Sequence, residues 1–238
     1  METDRSSEII TRKLTALSGI VALISLCIPV VASAIPYEVI LMRHGEKMNR
    51  YTLSVIGQER AKALAQQYLG KHASMGLLIG KQKPAALMTI TLHTIETMTP
   101  TAQSWGLPET AFTVVPEPGE NKLKKIAEEN ACTQEAAHDI LTNPRYDNKI
   151  VILMWEHKHI ANLKLERKFP GHEVTFRQLL HLGQLKAVPQ TWPKMNYDYI
   201  WIIKYTKDDF IPTSFTMKRE VFTGNYARLP ANHWGNHE

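Results

Sequence analysis

Two short stretches of this chain carry residues that could do chemistry together. In "EVILMRHGEK", residues 38–47, the apolar run Val39-Ile40-Leu41-Met42 leads straight into Arg43-His44-Gly45-Glu46. Arginine supplies a fixed planar cation, and histidine an imidazole that titrates near neutrality. Gly45 allows the backbone a close approach or a positive φ. A second apolar run, "VILMWEHKHI" (151–160), ends similarly in Glu156-His157-Lys158-His159. A histidine after a strand is more often a hydrogen-bonded structural residue than a reactive one. Here an adjoining arginine, a glycine and a matching second strand end argue for a site. Two such ends in one sheet would bring both imidazoles and Arg43 to one point. That grouping suits phosphate, whose oxygens a guanidinium matches in bidentate fashion.

The elements that must position these residues alternate along the chain. Strands are expected at 37–43, 85–91, 112–116 and 149–155, with a closing antiparallel pair at 197–205 and 210–217. Pro212 marks the last of these as an edge strand. Helices are expected at 53–70, 94–106, 121–131, 133–143, near 157–168 and at 173–183. Pro100 is most easily placed in the first turn of its helix. The pattern predicts a single α/β domain of three layers, a central, mostly parallel sheet with helices on both faces. In such folds ligands sit outside the carboxyl ends of the strands, where Arg43-His44 and Glu156-His157 fall.

The chain has 238 residues, 44% hydrophobic and 21% charged, with a net charge of +5. Its basic residues are scattered, without the clustered patch expected of a nucleic-acid partner. Residues 1–34 read as a secretory signal: Arg12-Lys13, an apolar stretch, Pro29 and the small-residue triplet Ala32-Ser33-Ala34. Cleavage after Ala34 leaves residues 35–238 as the exported domain, periplasmic or secreted. The alternative is an uncleaved N-terminal anchor, the only membrane contact the sequence suggests. Cys27 leaves with the signal, so Cys132 remains alone and no intrachain disulfide can form.

"MRHGEK", followed closely by "LSVIGQERAKALA", resembles the opening of the histidine phosphatase superfamily, also called phosphoglycerate mutase-like. That opening pairs an Arg-His-Gly strand end with a Leu-Ser/Thr-x-x-Gly-x-x-x-Ala helix start. "VILMWEHKHI" is similar to the family's second histidine strand, and the order of motifs agrees over most of residues 35–238. Lys47 stands where the acid-phosphatase variant, Arg-His-Gly-x-Arg-x-Pro, has its second arginine. The smaller, mutase-like branch is therefore the closer likeness.

The resemblance implies a phosphatase acting on a small phosphomonoester, with no metal and no other cofactor. His44 would be the nucleophile, taking the phosphoryl group as a phosphohistidine that water then hydrolyses. Arg43 would clamp phosphate oxygens, and His157 would donate a hydrogen bond to the transferring group. Gly45, Glu46 and Lys47 would complete the phosphate-binding loop, with Glu46 orienting it. A mutase role fits poorly with export.

The family places a second clamp arginine just before a Thr-x-x-x-Thr-x-x-Pro-type helix start. In "TLHTIETMTP" (91–100) that place is held by His93, and no arginine lies between Arg60 and Arg145. One lost charge-assisted hydrogen bond costs roughly 1.5–3 kcal/mol, or about ten- to a hundredfold in rate. Three readings follow. His93 serves as a cation when protonated; Lys47 or Lys158 substitutes; or the protein binds a phosphorylated or anionic ligand without turning it over. For the general acid, Glu156 is a candidate if burial raises its pKa, although strand alternation would turn it away from His157. Glu117 and Glu120 are loop alternatives. His157, His159 and His44 match no compact zinc spacing, so no metal is expected. The pocket walls, at 70–85, 121–143 and 186–196, carry no readable substrate code.

Overall fold

The two chemistry-bearing runs lie side by side in the computed structural model of the chain, which describes residues 34–78, 80, 83–207 and 209–235. The expected signal, its cleavage triplet and Cys27 fall outside or at the very edge of these residues. In chain order the elements are β1 (Glu38–Arg43), α1 (Val55–Leu64), β2 (Ala86–Thr91), α2 (Leu92–Trp105), β3 (Thr110–Val114) and α3 (Lys122–Thr142). They continue with β4 (Ile150–Trp155), α4 (His157–Ile160), α5 (Leu163–Lys168), α6 (Phe176–Leu179), β5 (Tyr199–Lys204) and β6 (Ser214–Arg219). One sheet holds all six strands in the order β3-β2-β4-β1-β5-β6. β3, β2, β4 and β1 run parallel, whereas β5 is antiparallel to β1 and β6 to β5.

Period-two alternation assigns the faces. Val39, Leu41, Val151, Leu153 and Trp155 join Ala136, Ala137 and Ile140 of α3 in one buried cluster. Ile40, Met42, Ile152 and Met154 join Ala63 and Leu64 of α1 and Met98 and Ala102 of α2 in the other. The sheet is thus buried on both faces by helices, the three-layer arrangement expected from the pattern. Each fully buried Leu, Ile or Met contributes roughly 1.5–3 kcal/mol of transfer free energy. β6 is an edge, as Pro212 indicated. Among the described residues no helix is long and apolar enough to cross a membrane.

Four expectations change. The two helices at 121–131 and 133–143 are a single helix, α3, running through Ala131 and Cys132. No glycine or proline interrupts it, and Thr133 bonds back to the Glu129 carbonyl at 2.6 Å without leaving the helix. The helix near 157–168 is broken instead, because Asn162 caps α5 through the Leu165 N–H at 2.7 Å. The 173–183 helix shrinks to α6, and His181 then takes a positive φ of 56° before a 3₁₀ turn. Finally, α2 starts at Leu92, so Pro100 lies in the helix interior rather than its first turn. The Thr91–Thr94 capping box sets that earlier start.

Candidate active site

Register places the site. β1 and β4 are parallel neighbours with Arg43 opposite Trp155, so His44 and Glu156 leave the sheet at the same level. The His44 N–H donates to the Trp155 carbonyl at 3.3 Å. β2 flanks β4 on its other side and ends at Thr91, next to His93. The site therefore gathers at the carboxyl ends of three adjacent strands.

The loop after β1 is held by backbone contact. Gly45 and Gly57 pack against each other: a Cβ on Gly45 would lie 2.8 Å from the Gly57 carbonyl oxygen, and one on Gly57 only 2.3 Å from that of Glu46. Ser54 caps α1 through the Gly57 N–H at 3.1 Å, and its own N–H donates to the Glu46 carbonyl at 2.8 Å. From α2, Thr97 Oγ1 accepts the Gly45 N–H at 2.9 Å and Glu96 accepts the Leu53 N–H at 2.6 Å. The Leu-Ser-x-x-Gly start is thus a clamp on the loop that carries His44. Glu46 turns away from the cleft to Arg60, at 2.6 Å, and Arg60 also meets Glu220 at 3.1 Å. Burial opposes the Arg60 charge, but these carboxylates hold its pKa above the usual value. Glu46 therefore braces the loop through this pair rather than lining the cleft, where the sequence grouped it with the phosphate-binding residues.

His44 is fully buried. Its Nδ1 lies 2.6 Å from the Gly45 carbonyl, and a carbonyl can only accept, so the proton belongs on Nδ1. Nε2 is left without a hydrogen-bond partner, 3.3 Å from Glu156 Oε2. Burial lowers the His44 pKa to about 4, outweighing the attraction of Glu156, so the ring is neutral at pH 7. Arg43 donates through Nη1 to the carbonyls of Lys194 and Asn196 and stacks on Tyr197, its guanidinium carbon 3.8 Å from the ring centroid. Its buried Nε has no partner. His157 completes the group. Burial, then the charge of Arg43, depress its pKa to about 2, and its buried Nδ1 is likewise unpartnered.

Glu156 does not alternate away, because β4 ends at Trp155 and Glu156 is already the N-cap of α4. Its Oε1 accepts from Lys47 Nζ at 2.8 Å and from Thr91 Oγ1 at 3.0 Å. Burial alone would raise its pKa, as the sequence suggested, but the contacts with His44 and with the charged Lys47 hold the carboxyl well below the usual range instead. A proton donor is better sought in Glu129 of α3, which shares the cleft and which sequence reasoning missed. Burial, then the Glu156 charge, raise its pKa to about 7. Nothing in "KKIAEENA" distinguishes Glu129 from Glu128; only the buried face of α3 does. Glu117 is exposed and paired with Lys124 at 2.9 Å.

His93 is buried, its ring centroid 5.7 Å from that of His44. Its Nε2 donates to the Asn49 carbonyl at 2.9 Å and so pins the loop that carries Lys47. Burial, then the charge of Lys47, lower its pKa below 6.5. Lys158 is exposed on the cleft wall, while His159 is buried, with Nε2 3.0 Å from Asn130 Oδ1 and Nδ1 3.6 Å from Glu129.

His44, Glu156 and His157 offer three ligand atoms within 4.8 Å of one another. Two fixed cations, the Arg43 guanidinium and Lys47, stand against the same atoms. They oppose a divalent metal and favour an anion.

No family model and no curated protein matches this sequence. Among solved structures, the chain is similar to the provisionally assigned phosphohistidine phosphatase SixA from Agrobacterium tumefaciens, at 13% identity and a TM-score of 0.36, over 76% of this chain and 99% of that one. It is similar also to mycobacterial hydrolase 1, at 14% identity and a TM-score of 0.36, over 79% of this chain and 99% of that one. At that TM-score neither likeness carries a functional argument, which has to come from the site itself.

Proposed function

We propose that this protein is a phosphomonoester hydrolase of the histidine phosphatase type, working through His44. The observation that carries the reading is a buried, neutral imidazole with Nδ1 2.6 Å from the Gly45 carbonyl oxygen and Nε2 facing Glu156 at 3.3 Å without a hydrogen-bond partner, beside Arg43 and His157. Nε2 attacks phosphorus, the P–O ester bond breaks, and the leaving oxygen takes a proton from Glu129. Water then attacks the phosphohistidine, giving its proton back to Glu129 and releasing phosphate and the free imidazole. Arg43 and Lys47 offset the charge on the equatorial oxygens, and the neutral His157 donates a hydrogen bond to one of them. The sequence likeness to the histidine phosphatase superfamily supports the same roles. Export follows from residues 1–34, and N-terminal sequencing of the secreted protein is expected to begin at Ile35.

The pH dependence is part of the proposal. His44 must be neutral, so activity is lost as pH falls through about 4. A neutral His93 already spends its one N–H on Asn49, and only protonation makes its second nitrogen a donor. With its pKa below 6.5, that cation is lost as pH rises toward neutrality. Glu129 must hold its proton to donate it, so activity is also lost as pH rises through about 7, and it should be highest between about pH 4 and 7.

The test is hydrolysis of an aryl phosphate from pH 4.5 to 8, beside His44→Ala and with a chelator present. Chelator-insensitive, His44-dependent turnover that weakens as pH rises through about 7 is expected. A second reading, anion binding without turnover, rests on His93 in the place of an arginine. Phosphate binding with no rate above the His44→Ala blank at any pH would select it.

A further inference from the structure

The cleft outside His44 has a charge pattern that one phosphate does not require. It encloses about 460 Å³ and runs from Lys47, Glu156 and His157 out along α3 and α5. A cavity of this size holds a whole small-molecule ligand. Its wall carries six lysines, Lys47, Lys122, Lys125, Lys158, Lys164 and Lys168, against two carboxylates, Glu129 and Glu156.

Glu156 is already matched by Lys47 at 2.8 Å, and Glu129, 3.5 Å from Lys125, holds its proton up to about pH 7. Among the described residues, Lys122, Lys158, Lys164 and Lys168 have no carboxylate within 4.0 Å. A solvated helix face would explain lysines on one element with acids interleaved. These four come from three separate elements, α3, α4 and α5, and line one concavity. Lys164 and Lys168 are spaced i, i+4, and Lys122 and Lys125 i, i+3, so each pair shares a helix face. Like charges so placed repel one another and gain from an anion set between them.

We infer that this cleft is a subsite for further anionic groups of the substrate, so that the protein acts on a soluble, multiply phosphorylated small molecule rather than a simple monoester. The inference rests on the proposed hydrolysis at His44, with which the cleft is continuous through Lys47, Glu156 and His157. The reacting phosphate sits at His44, and the remaining phosphates lie along Lys122, Lys158, Lys164 and Lys168.

Two measurements separate the subsite from the chemistry. The first is calorimetric binding of myo-inositol hexakisphosphate to the His44→Ala protein, with and without Lys122→Ala, Lys164→Ala and Lys168→Ala together. The three lysines are exposed, so the fold should persist, as circular dichroism would verify. At least thirtyfold weaker binding in the lysine variant is expected, with a steeper salt dependence when the lysines are present. Binding unchanged within threefold would overturn the subsite. The second is kcat/KM of otherwise unaltered protein on fructose 1,6-bisphosphate and on an aryl phosphate. The lysine variant should lose more than tenfold on the bisphosphate and less than threefold on the aryl phosphate. Equal losses on both would overturn the inference while leaving the hydrolase standing. Lysine-dependent binding with no His44-dependent hydrolysis of any probe would instead remove the hydrolase and leave the polyanion subsite.

Discussion

Gly57→Ala tests whether the Gly45–Gly57 contact is what holds the nucleophile. The added Cβ would sit 2.3 Å from the Glu46 carbonyl oxygen, 2.8 Å from its nitrogen and 3.1 Å from its carbonyl carbon. All three are backbone atoms, so no side chain can rotate away. Reaching an ordinary contact near 3.4 Å requires either α1 or the 44–47 loop to move by about 1 Å. That movement also strains the bond from the Ser54 N–H to the Glu46 carbonyl, now 2.8 Å. Overpacking costs about 1–3 kcal/mol and a weakened hydrogen bond about 1 kcal/mol more. Replacing a helical glycine by alanine returns about 1 kcal/mol. The net expectation is a loss of about 1–3 kcal/mol in urea unfolding followed by tryptophan fluorescence. Displacing His44 by about 1 Å should also lower turnover roughly a hundredfold. Gly183→Ala is the control, since its Cβ would meet only Arg177 Nη1, at 3.5 Å. If Gly57→Ala unfolds like the parent within about 0.3 kcal/mol and turns over within threefold, a claim of the size of measurement scatter, the clamp argument is wrong.

Two further outcomes follow from the buried charges. Arg60→Met leaves Glu46 and the buried Glu220, whose pKa burial raises to about 8, without their shared hydrogen-bond donor, and loss of about 1–3 kcal/mol is expected in the same unfolding assay; a loss below about 0.5 kcal/mol would show that the pair is not coupled to the fold. Glu129→Gln should flatten the pH dependence of stability. In the native protein Glu129 keeps its proton up to about 7, whereas an unfolded glutamate ionises near 4.5, so its contribution is full below 4.5 and lost as pH rises through 7. Between pH 5 and 7 the variant's stability should therefore fall less steeply than the parent's, by up to about 1.4 kcal/mol per pH unit. Parallel curves would mean that Glu129 is ionised throughout.

Much of this was legible in the sequence because it rests on local rules. Apolar runs of strand length ending in Arg43-His44 and Glu156-His157 placed these residues together at carboxyl strand ends, the candidate site. The alternation of strands and helices indicated the three layers. The Leu-Ser-x-x-Gly spacing marked the helix start that clamps the loop, and Pro212 marked the edge strand. Each of these depends on residues a few positions apart, where backbone geometry alone sets what they can do.

What tertiary structure decided are the quantities that depend on distant neighbours. Glu156 could be expected to hold a proton by burial, but Lys47, brought to 2.8 Å across the cleft, keeps it ionised. Glu129 looked like any acid on a polar helix until the packing of α3 buried it and set it near Glu156. Glu46 could face the ligand or the protein, and Arg60, fourteen positions on, took it. The lysine cleft is assembled from α3, α4 and α5, whose separation in sequence hides their convergence in space. Local geometry is written in the order of residues. Charge balance and burial are sums over everything the fold brings near, so only the folded chain fixes them.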